Sequence, residues 1–414
     1  MQMNRQFLTL LAMALVIRGA QAEDDLPDIH LSGLLDLRAI HTDETTSWLD
    51  YGLGKNRYGG ETDEARSFGQ IAEAAVIAHS RFTWSTSGKL YLKYDADQEH
   101  PVDLVEGFIA YQPVATGSYK FTSRVGAFFP PLSFENTGPA WTSPYSITPS
   151  AINTWVGEEL RTLGGEGTLQ WLGDGQKIGF TGALYKANDP TGSLLAWRGW
   201  ALHDFKTGLN DRVPLAPTHS IGPDGDFPKQ APWVEPFHEI DGKWGSYGTL
   251  TWEHAGSFKT RALYYDNHGD PTAFNGTQYA WHTRFSSVGG LITLPGDAEL
   301  IGQYLRGDTL MGSLAHRVDV EFSSWNMLLS KRFDQHQVSL RYDLFDVQDI
   351  ADVEYNDNDH GHAWTLAYGL DVTKGQRLML EVLDINSHHP QREDLDLPLN
   401  THERLLQMSY RVYF

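Results

Sequence analysis

Three groups of residues in this 414-residue chain carry side chains that could do chemistry. The first is the stretch DVEYNDNDHGH, residues 352–362, where acids, amides and two histidines crowd together as donors for a hard cation. Its Asp357/Asp359 spacing is that of a calcium loop, but the bidentate Glu such a loop requires is missing from its position. His388, His389 and His402 lie one connection further on, which leaves a loose divalent-ion site geometrically open. The plainer reading is an acidic loop bridged by divalent cations to phosphates outside the protein, and no metal ligand is assigned. The second group is His282 with Ser286, the nearest local approach to a hydrolytic pair. There is no Gly-x-Ser-x-Gly elbow, His-Glu-x-x-His pair or Gly-rich phosphate loop, and zero cysteines remove thiol catalysis and thiolate metal sites. No catalytic residue and no cofactor is therefore assigned.

The third group is the largest: charges spaced two apart inside apolar segments. Cations of this kind are Arg38, Arg81, Lys89, Lys93, Lys120 and Arg124, then Lys259, Arg261, Arg284, Arg341, Arg377 and Arg411, with His282 beside them. The matching acids are Asp36, Glu73, Asp95, Glu106, Glu166, Asp343, Glu381 and Glu403. Such charges line a wetted surface and act on ions and solutes by electrostatics rather than by covalent steps.

The elements that position them have the period of a strand. In IHLSGLLDLRAI, Ile29, Leu31, Leu35, Leu37 and Ala39 share one face while His30, Ser32, Asp36 and Arg38 share the other. KLYLKYDA sets Leu90, Leu92, Tyr94 and Ala96 against Lys89, Tyr91, Lys93 and Asp95. The same alternation runs through Val338–Leu344, Trp364–Val372 and Leu378–Val382, and an amphipathic helix would instead space its apolar residues three and four apart. Seven connections have tight-turn chemistry: Thr86–Gly88, Ala115–Gly117, Gly173–Gly175, Ala255–Gly256, Pro295–Asp297, Asp334–Gln335 and Lys374–Gly375. Eight others, most of them longer, lie near 42–67, 97–101, 129–159, 188–241, 268–276, 308–317, 349–361 and 387–401. Fifteen connections join about 16 strands, or 18 if LLAWRGWAL hides a hairpin, with both termini at one end.

The N-terminal stretch MQMNRQFLTLLAMALVIRGAQA has an early Arg5, an apolar run of 11 residues from Phe7 to Ile17 and a small-residue Ala20-Gln21-Ala22 end. That pattern is a signal peptide cut after Ala22, since a spanning helix needs roughly 20 apolar residues. The domain plan is thus a leader over 1–22 and a single β-barrel domain over 23–414, with 129–159 as the constriction loop and 188–241 as a long outer loop. Losing Arg5 and Arg18 with the leader takes the formal charge from −21 to −23, which excludes nucleic acid as a partner. Gly 40 and 12% aromatic residues, with no later apolar run long enough to be a spanning helix, fit a chain that meets lipid with alternate residues only.

Hydrocarbon cannot satisfy backbone polar groups, so an all-β chain crosses it only as a closed antiparallel barrel. The terminal stretch RLLQMSYRVYF, with Phe414, Val412, Tyr410, Met408 and Leu406 on one face, resembles the C-terminal assembly signature of Gram-negative outer-membrane proteins. The resemblance implies that this strand is read by the barrel-assembly machinery and that the protein resides in the outer membrane, with short periplasmic turns and long extracellular loops. The whole mature chain is similar to the sixteen-stranded porins and, more weakly, to the phosphate-selective porin family, through RVGAFFPPLSFENTGPAWTSP (124–144) and VGEELRTLGGEGTLQW (156–171). The dense Arg/Lys ladder that phosphate selectivity needs is absent. The likeness implies a homotrimer among outer-membrane lipid and lipopolysaccharide, and a water-filled channel for passive or weakly selective diffusion of small hydrophilic solutes or ions. A solute-specific anion channel is the alternative, and an enzyme or adhesin on a barrel is the remoter one.

If apolar residues face lipid, their alternates face the lumen, His282 and Ser286 included. Tyr94, Tyr119, Trp171, Trp281, Trp364, Tyr410 and Phe414 are then girdle aromatics. Charges ringing a constriction select ions at short range. The expected constriction sets Glu135, Trp155, Glu158 and Glu159 of loop 129–159 against Arg38, Arg81, Lys93 and Arg124, with Lys120, Arg261, Arg284 and Arg341 lining the pore further round. Arg341 is expected to tolerate truncation, whereas a lysine at its lipid-facing neighbour Leu340 is not.

Overall fold

A computed structural model of the chain describes residues 26–60, 64–313, 316–351 and 356–414. The proposed leader and its cleavage after Ala22 lie outside the described residues, as do 352–355 of the acidic loop. In chain order the strands are β1 (Asp28–Thr42), β2 (Arg66–Arg81), β3 (Thr86–Tyr94), β4 (Val102–Tyr111), β5 (Tyr119–Phe128), β6 (Thr162–Gly173) and β7 (Gln176–Lys186). After the two-residue β8 (Val213–Pro214) and β9 (Trp233–Val234) come β10 (Gly245–His254), β11 (Phe258–Asp266), β12 (His282–Leu294) and β13 (Ala298–Gly312). The last five are β14 (Arg317–Phe333), β15 (His336–Asp349), β16 (Asp359–Thr373), β17 (Gln376–His388) and β18 (Asn400–Tyr413).

Sixteen of these close into one antiparallel barrel, while β8 and β9 pair only with each other. The chain is therefore sixteen-stranded, and LLAWRGWAL is no hairpin: it begins with a short helix, α2 (Ser193–Trp197), which follows α1 (Ala151–Glu159) in the chain. The first tight turn is residues 82–85, because Thr86–Gly88 already belong to β3. β1 pairs with β18 in a register that places Leu35 opposite Val412 and Leu37 opposite Tyr410. At the end of this seam the Gly33 amide donates to the Phe414 carbonyl at 2.9 Å. Gly33 has to be glycine, since a Cβ there would sit 2.3 Å from the Phe414 ring.

The barrel wall is uneven. β3, β4, β5, β10 and β11 have 9 or 10 residues, close to the roughly 9–11 that cross a bilayer. β12–β18 have 13–17 and rise beyond that height at the long-loop end. At mid-height the outward face is apolar, as with Leu340, Leu366, Leu380, Val382 and Met408. On the raised part the faces exchange character. Phe285, Val320, Phe322, Phe345, Val347, Leu383 and Ile385 point inward and are buried, while Arg284, Arg306, Asp308, Glu321, His360 and Arg404 lie on the outside. On the low wall the outward residues stay apolar toward the long-loop end, with Leu92, Val102, Val125, Leu163 and Leu184 all exposed.

This exchange overturns the inward placement of His282, Arg284 and Ser286. On β12 it is Thr283, Phe285 and Ser287 that are buried inside. The alternation rule, apolar residues out, holds only where hydrocarbon is outside. Above that level nothing penalises an outward charge, and the inner side decides instead. Trp281 is likewise not a girdle residue: it is buried inside, edge-on to Trp197 at 4.9 Å.

Candidate functional site: the occupied lumen

The described residues of connections 43–65, 129–161 and 187–244 fold into the barrel rather than away from it. Their sequences require this, because a stretch as apolar as Leu194–Leu202 with Trp197 and Trp200 cannot remain in water. α1 starts at Ser150, whose Oγ accepts the Asn153 amide. It lays Trp155 among Phe285 (5.2 Å), Phe322 (5.4 Å) and Trp200 (6.0 Å). Arg161 ends the helix by donating to the carbonyls of Val156, Gly157 and Leu160, and its guanidinium lies 3.3 Å above the Phe129 ring. The raised half of the barrel is thus filled as a protein core is filled, with aromatic and aliphatic side chains.

Buried charges pin this filling to the wall. Glu135 takes Arg341 Nη1 at 2.8 Å, and Arg341 also binds Asp343 at 2.7 Å and the carbonyls of Thr148 and Pro149. Glu381 accepts the amides of Ile147 and Thr148. Lys55 Nζ pairs with Asp359 at 2.7 Å; burial pulls this ammonium down to about 8 against the carboxylate that holds it up. The end of α1 grips the third connection twice. Glu158 makes a two-point pair with Arg198 (2.7 and 2.6 Å) and a contact with His203 at 3.0 Å. Burial alone would raise the Glu158 carboxyl, but Arg198 and His203 bring it to about 2. Among the described residues Glu159 meets no cation. It accepts from Trp155 Nε1, Ser193 Oγ and the amides of Gly192 and Leu194, and burial raises it to about 7 despite those donors.

The other side of the lumen is charged. Arg411 and Arg38 share Asp36 (3.1 and 2.6 Å), Arg38 reaches Asp204 at 2.6 Å, and Arg57 joins Asp204, Asp95 and Asp97 (3.3, 2.6 and 2.5 Å). Lys93 lies 3.3 Å from Asp95, and Lys206 pairs with Glu73 at 2.6 Å, where Tyr91 also donates. Toward the short-turn end this side opens into a vestibule of about 570 Å³ lined by His79, Lys89, Glu106, Arg124, Arg261 and residues 129–133 and 136–141. Asn136 and Trp141 of that lining also border a slot of about 10 Å³ beside Asp36, Glu73, Asp204 and Lys206. That is about one water's worth of space.

The structure distributes the expected constriction residues differently from the sequence reading. Arg38 and Lys93 face the lumen on the charged side, but across from Asp204 and Asp95 rather than Glu135, Glu158 or Glu159. Those three acids and Trp155 lie inside the filling, spent on Arg341, Arg198 and the start of α2. Arg124 lines the vestibule with Glu166 as its two-point partner at 2.9 and 3.0 Å, and Arg261 lines it with Phe134 5.1 Å away. Lys120 sits near the short-turn end of β5, opposite Gln170. Arg81 is half exposed at the end of β2, with Asp28 3.4 Å away, and takes no part in the narrow region. Arg284 is on the outer wall with Asp308, as the inverted upper face requires. Arg341 is no freely wetted wall residue but a buried anchor. Phe414, Val412, Tyr410 and Met408 line the outward edge of the closing seam.

Missed altogether were Lys55, Arg57, Arg198, His203, Asp204, Lys206 and Arg161. All belong to connections, and the signal for them was their setting: charges embedded in Trp- and Leu-rich loop sequence need partners indoors. In the described part of the acidic loop, Asp359 turns inward to Lys55 and Asp357 accepts from Gln391. Among the described residues, Asp189, Glu239 and Asp241 do bring carboxylate oxygens within 4.8 Å of one another, but Asp189 Oδ2 already accepts two backbone amides.

No family model matches the chain, and no curated protein matches it either. Solved structures do resemble it. The outer membrane channel DcaP of Acinetobacter baumannii is similar over 96% of this chain and 99% of its own, at 10% identity and a TM-score of 0.58. An anion-selective porin from Comamonas acidovorans shares 12% identity over 94% of this chain and all of its own, with a TM-score of 0.51. Salmonella typhi OmpF, solved with daunomycin, shares 11% over 95% of this chain and all of its own, also at 0.51. The likeness at these identities is one of fold: a closed sixteen-stranded barrel of the porin kind.

Proposed function

We propose that this chain is an outer-membrane porin that admits small hydrophilic solutes or ions by passive, weakly selective diffusion. The observation that carries the reading is the barrel itself, apolar outside at mid-height and charged on one inner side, with a vestibule of about 570 Å³ leading into it. Only a closed sheet can carry such a polar interior through hydrocarbon. The short-turn end is then periplasmic and the long loops extracellular. The signal peptide, the trimer, lipopolysaccharide contact and handling by the assembly machinery through Phe414 belong to the same proposal.

Weak selectivity follows from charge matching. Arg124 is paired with Glu166, Arg38 with Asp36 and Asp204, Lys93 with Asp95 and Lys206 with Glu73, so no run of uncompensated cations favours one anion. The reading assigns no role to His282, which lies 3.2 Å from Asp266 on the outer wall. Planar-bilayer recording of the purified protein tests the proposal. Stepwise conductance with a small reversal potential in a salt gradient is expected. Silence at every voltage, from both the intact protein and the loosened variants described next, overturns it.

A further inference from the structure

On the charged side, the gap between the filling and the wall is bridged by one short piece of chain, His203–Thr207. It hangs from α1 through Thr154 Oγ1, which donates to the His203 carbonyl at 3.0 Å, and through the Gly157 carbonyl, which accepts the Thr207 amide at 3.2 Å. Thr154 Oγ1 also accepts the His203 amide at 3.3 Å, Glu158 lies 3.0 Å from His203 Nε2, and Arg161 donates to the Thr207 carbonyl at 3.5 Å. The holds on Asp204 and Lys206 come from the barrel wall and the loops beside it. Asp204 takes Arg38 and Arg57, Lys206 takes Glu73, and the Lys206 carbonyl accepts from Lys93 and from Gln98. Burial would raise the Asp204 carboxyl, but Arg38, Arg57 and Lys206 together hold it well below the usual range. Phe205 is the single large apolar side chain of this stretch; it is buried edge-on to Trp48 at 5.5 Å, with the Lys93 ammonium 4.8 Å and the Arg57 guanidinium 5.3 Å from its ring. The slot of about 10 Å³ next to Asp204 and Lys206 shares Asn136 and Trp141 with the lining of the vestibule.

We propose that His203–Thr207 is a movable seal: ion pairs zip it to β1–β3, and solute passes when Asp204 and Lys206 let go of Arg38, Arg57 and Glu73. The proposal rests on the channel reading and adds where the channel is shut and by which residues. A seal fastened by charges can exchange its partners for water and ions when it moves, whereas the aromatic filling behind it cannot be wetted without loss of the core. The path therefore runs along the charged side, and the filling stays seated.

Two variants test this. Asp204→Asn with Lys206→Gln removes both fastenings while keeping side-chain size. In single-channel recordings it is expected to raise open probability at least several-fold over the intact protein at the same voltage. Asp103→Cys with Gly208→Cys locks the end of the seal, since a Cβ on Gly208 would fall 2.5 Å from that of Asp103 and only about an ångström of separation is needed for a disulfide. With no native cysteine in the chain the bridge is unambiguous. The oxidised protein is expected to stay shut and to regain the openings on reduction. Oxidised and reduced conductance that are equal, with the charge variant indistinguishable from the intact protein, overturn the seal and leave the channel standing. No current from any of them overturns the channel and the seal together. Should the charge variant fail to insert, the disulfide pair alone decides.

Discussion

The two sides of the lumen differ in what their strands offer a loop. β12–β18 present Phe285, Phe322, Phe345, Leu383 and Ile385 inward, and the loops answer with Trp155, Trp197 and Trp200. β1–β4 present Asp36, Arg38, Glu73 and Lys93 at comparable depth, and the loops answer with Arg57, Asp204 and Lys206. Apolar surface is stabilised only while it stays covered, so the first side is permanent structure. Ion pairs lose little when each partner is handed to water, so the second side can be transient. One barrel holds a domain core and a passage side by side.

The largest test of that contrast is Trp155→Ala. It should cost about 3–5 kcal/mol, read by denaturant unfolding of the refolded barrel, with a cavity left among Phe285, Phe322 and Trp200. Arg341→Ala should cost a similar ~3–5 kcal/mol, because Glu135 and Asp343 would remain buried without their cation. A near-neutral outcome would return Arg341 to the wetted wall that sequence alone suggests. Next comes the lipid face, where Leu380→Lys should destabilise insertion by roughly 2–4 kcal/mol, measured by folding equilibria in bilayers.

Glu159→Gln separates the two halves by pH. The folded carboxyl is raised from 4.5 to about 7, so the stability it contributes is present below 4.5 and is lost as pH rises through 7. Amide protection over 192–203, taken relative to the intrinsic rise of exchange with pH, should therefore fall between about pH 4.5 and 7 in the native protein and stay flatter in the variant. Glu158 runs the other way: its carboxyl is lowered to about 2, and its support is lost only as pH falls through that value. The smallest effect belongs to Arg284→Ala. Its partner Asp308 is exposed with it, so stability should change by about 1 kcal/mol or less and conductance not at all. A changed conductance would put Arg284 back inside.

The barrel was legible because its rule is local. Leu90/Lys89 and Leu380/Glu381 alternate, and seven turn-like pieces separate from eight longer connections. Only the first turn was set wrongly, where Gly88 is a strand residue that carries turn composition. The rule misled on β12, where an alternating pattern continues after its meaning has reversed: Arg284 and Phe285 still alternate, but the loop filling rather than lipid selects the apolar side. The site was less legible for a different reason. Arg38 and Asp204 are 166 residues apart, and Arg341 and Glu135 are 206 apart, so no local period links them. Glu158 and Glu159 looked like channel charges because loop 129–159 reads as an acidic constriction loop set against a basic wall. Here one meets Arg198 and the other the start of α2. The compositional hint that went unused was the density of Trp and Leu around Arg198 and Lys206.

The uneven wall also gives the molecule a bearing within the plane of the membrane. Along β12–β18 a shoulder of Arg284, Asp308, Arg306, Glu321 and His360 turns charge outward, while along β3–β7 Leu92, Val102, Leu163 and Leu184 keep the rim greasy to its edge. A neighbour approaching from one flank meets a hydrated surface, and from the other a dry one. Rotation about the membrane normal is then not neutral, and a crowded sheet of such barrels has a preferred way to turn.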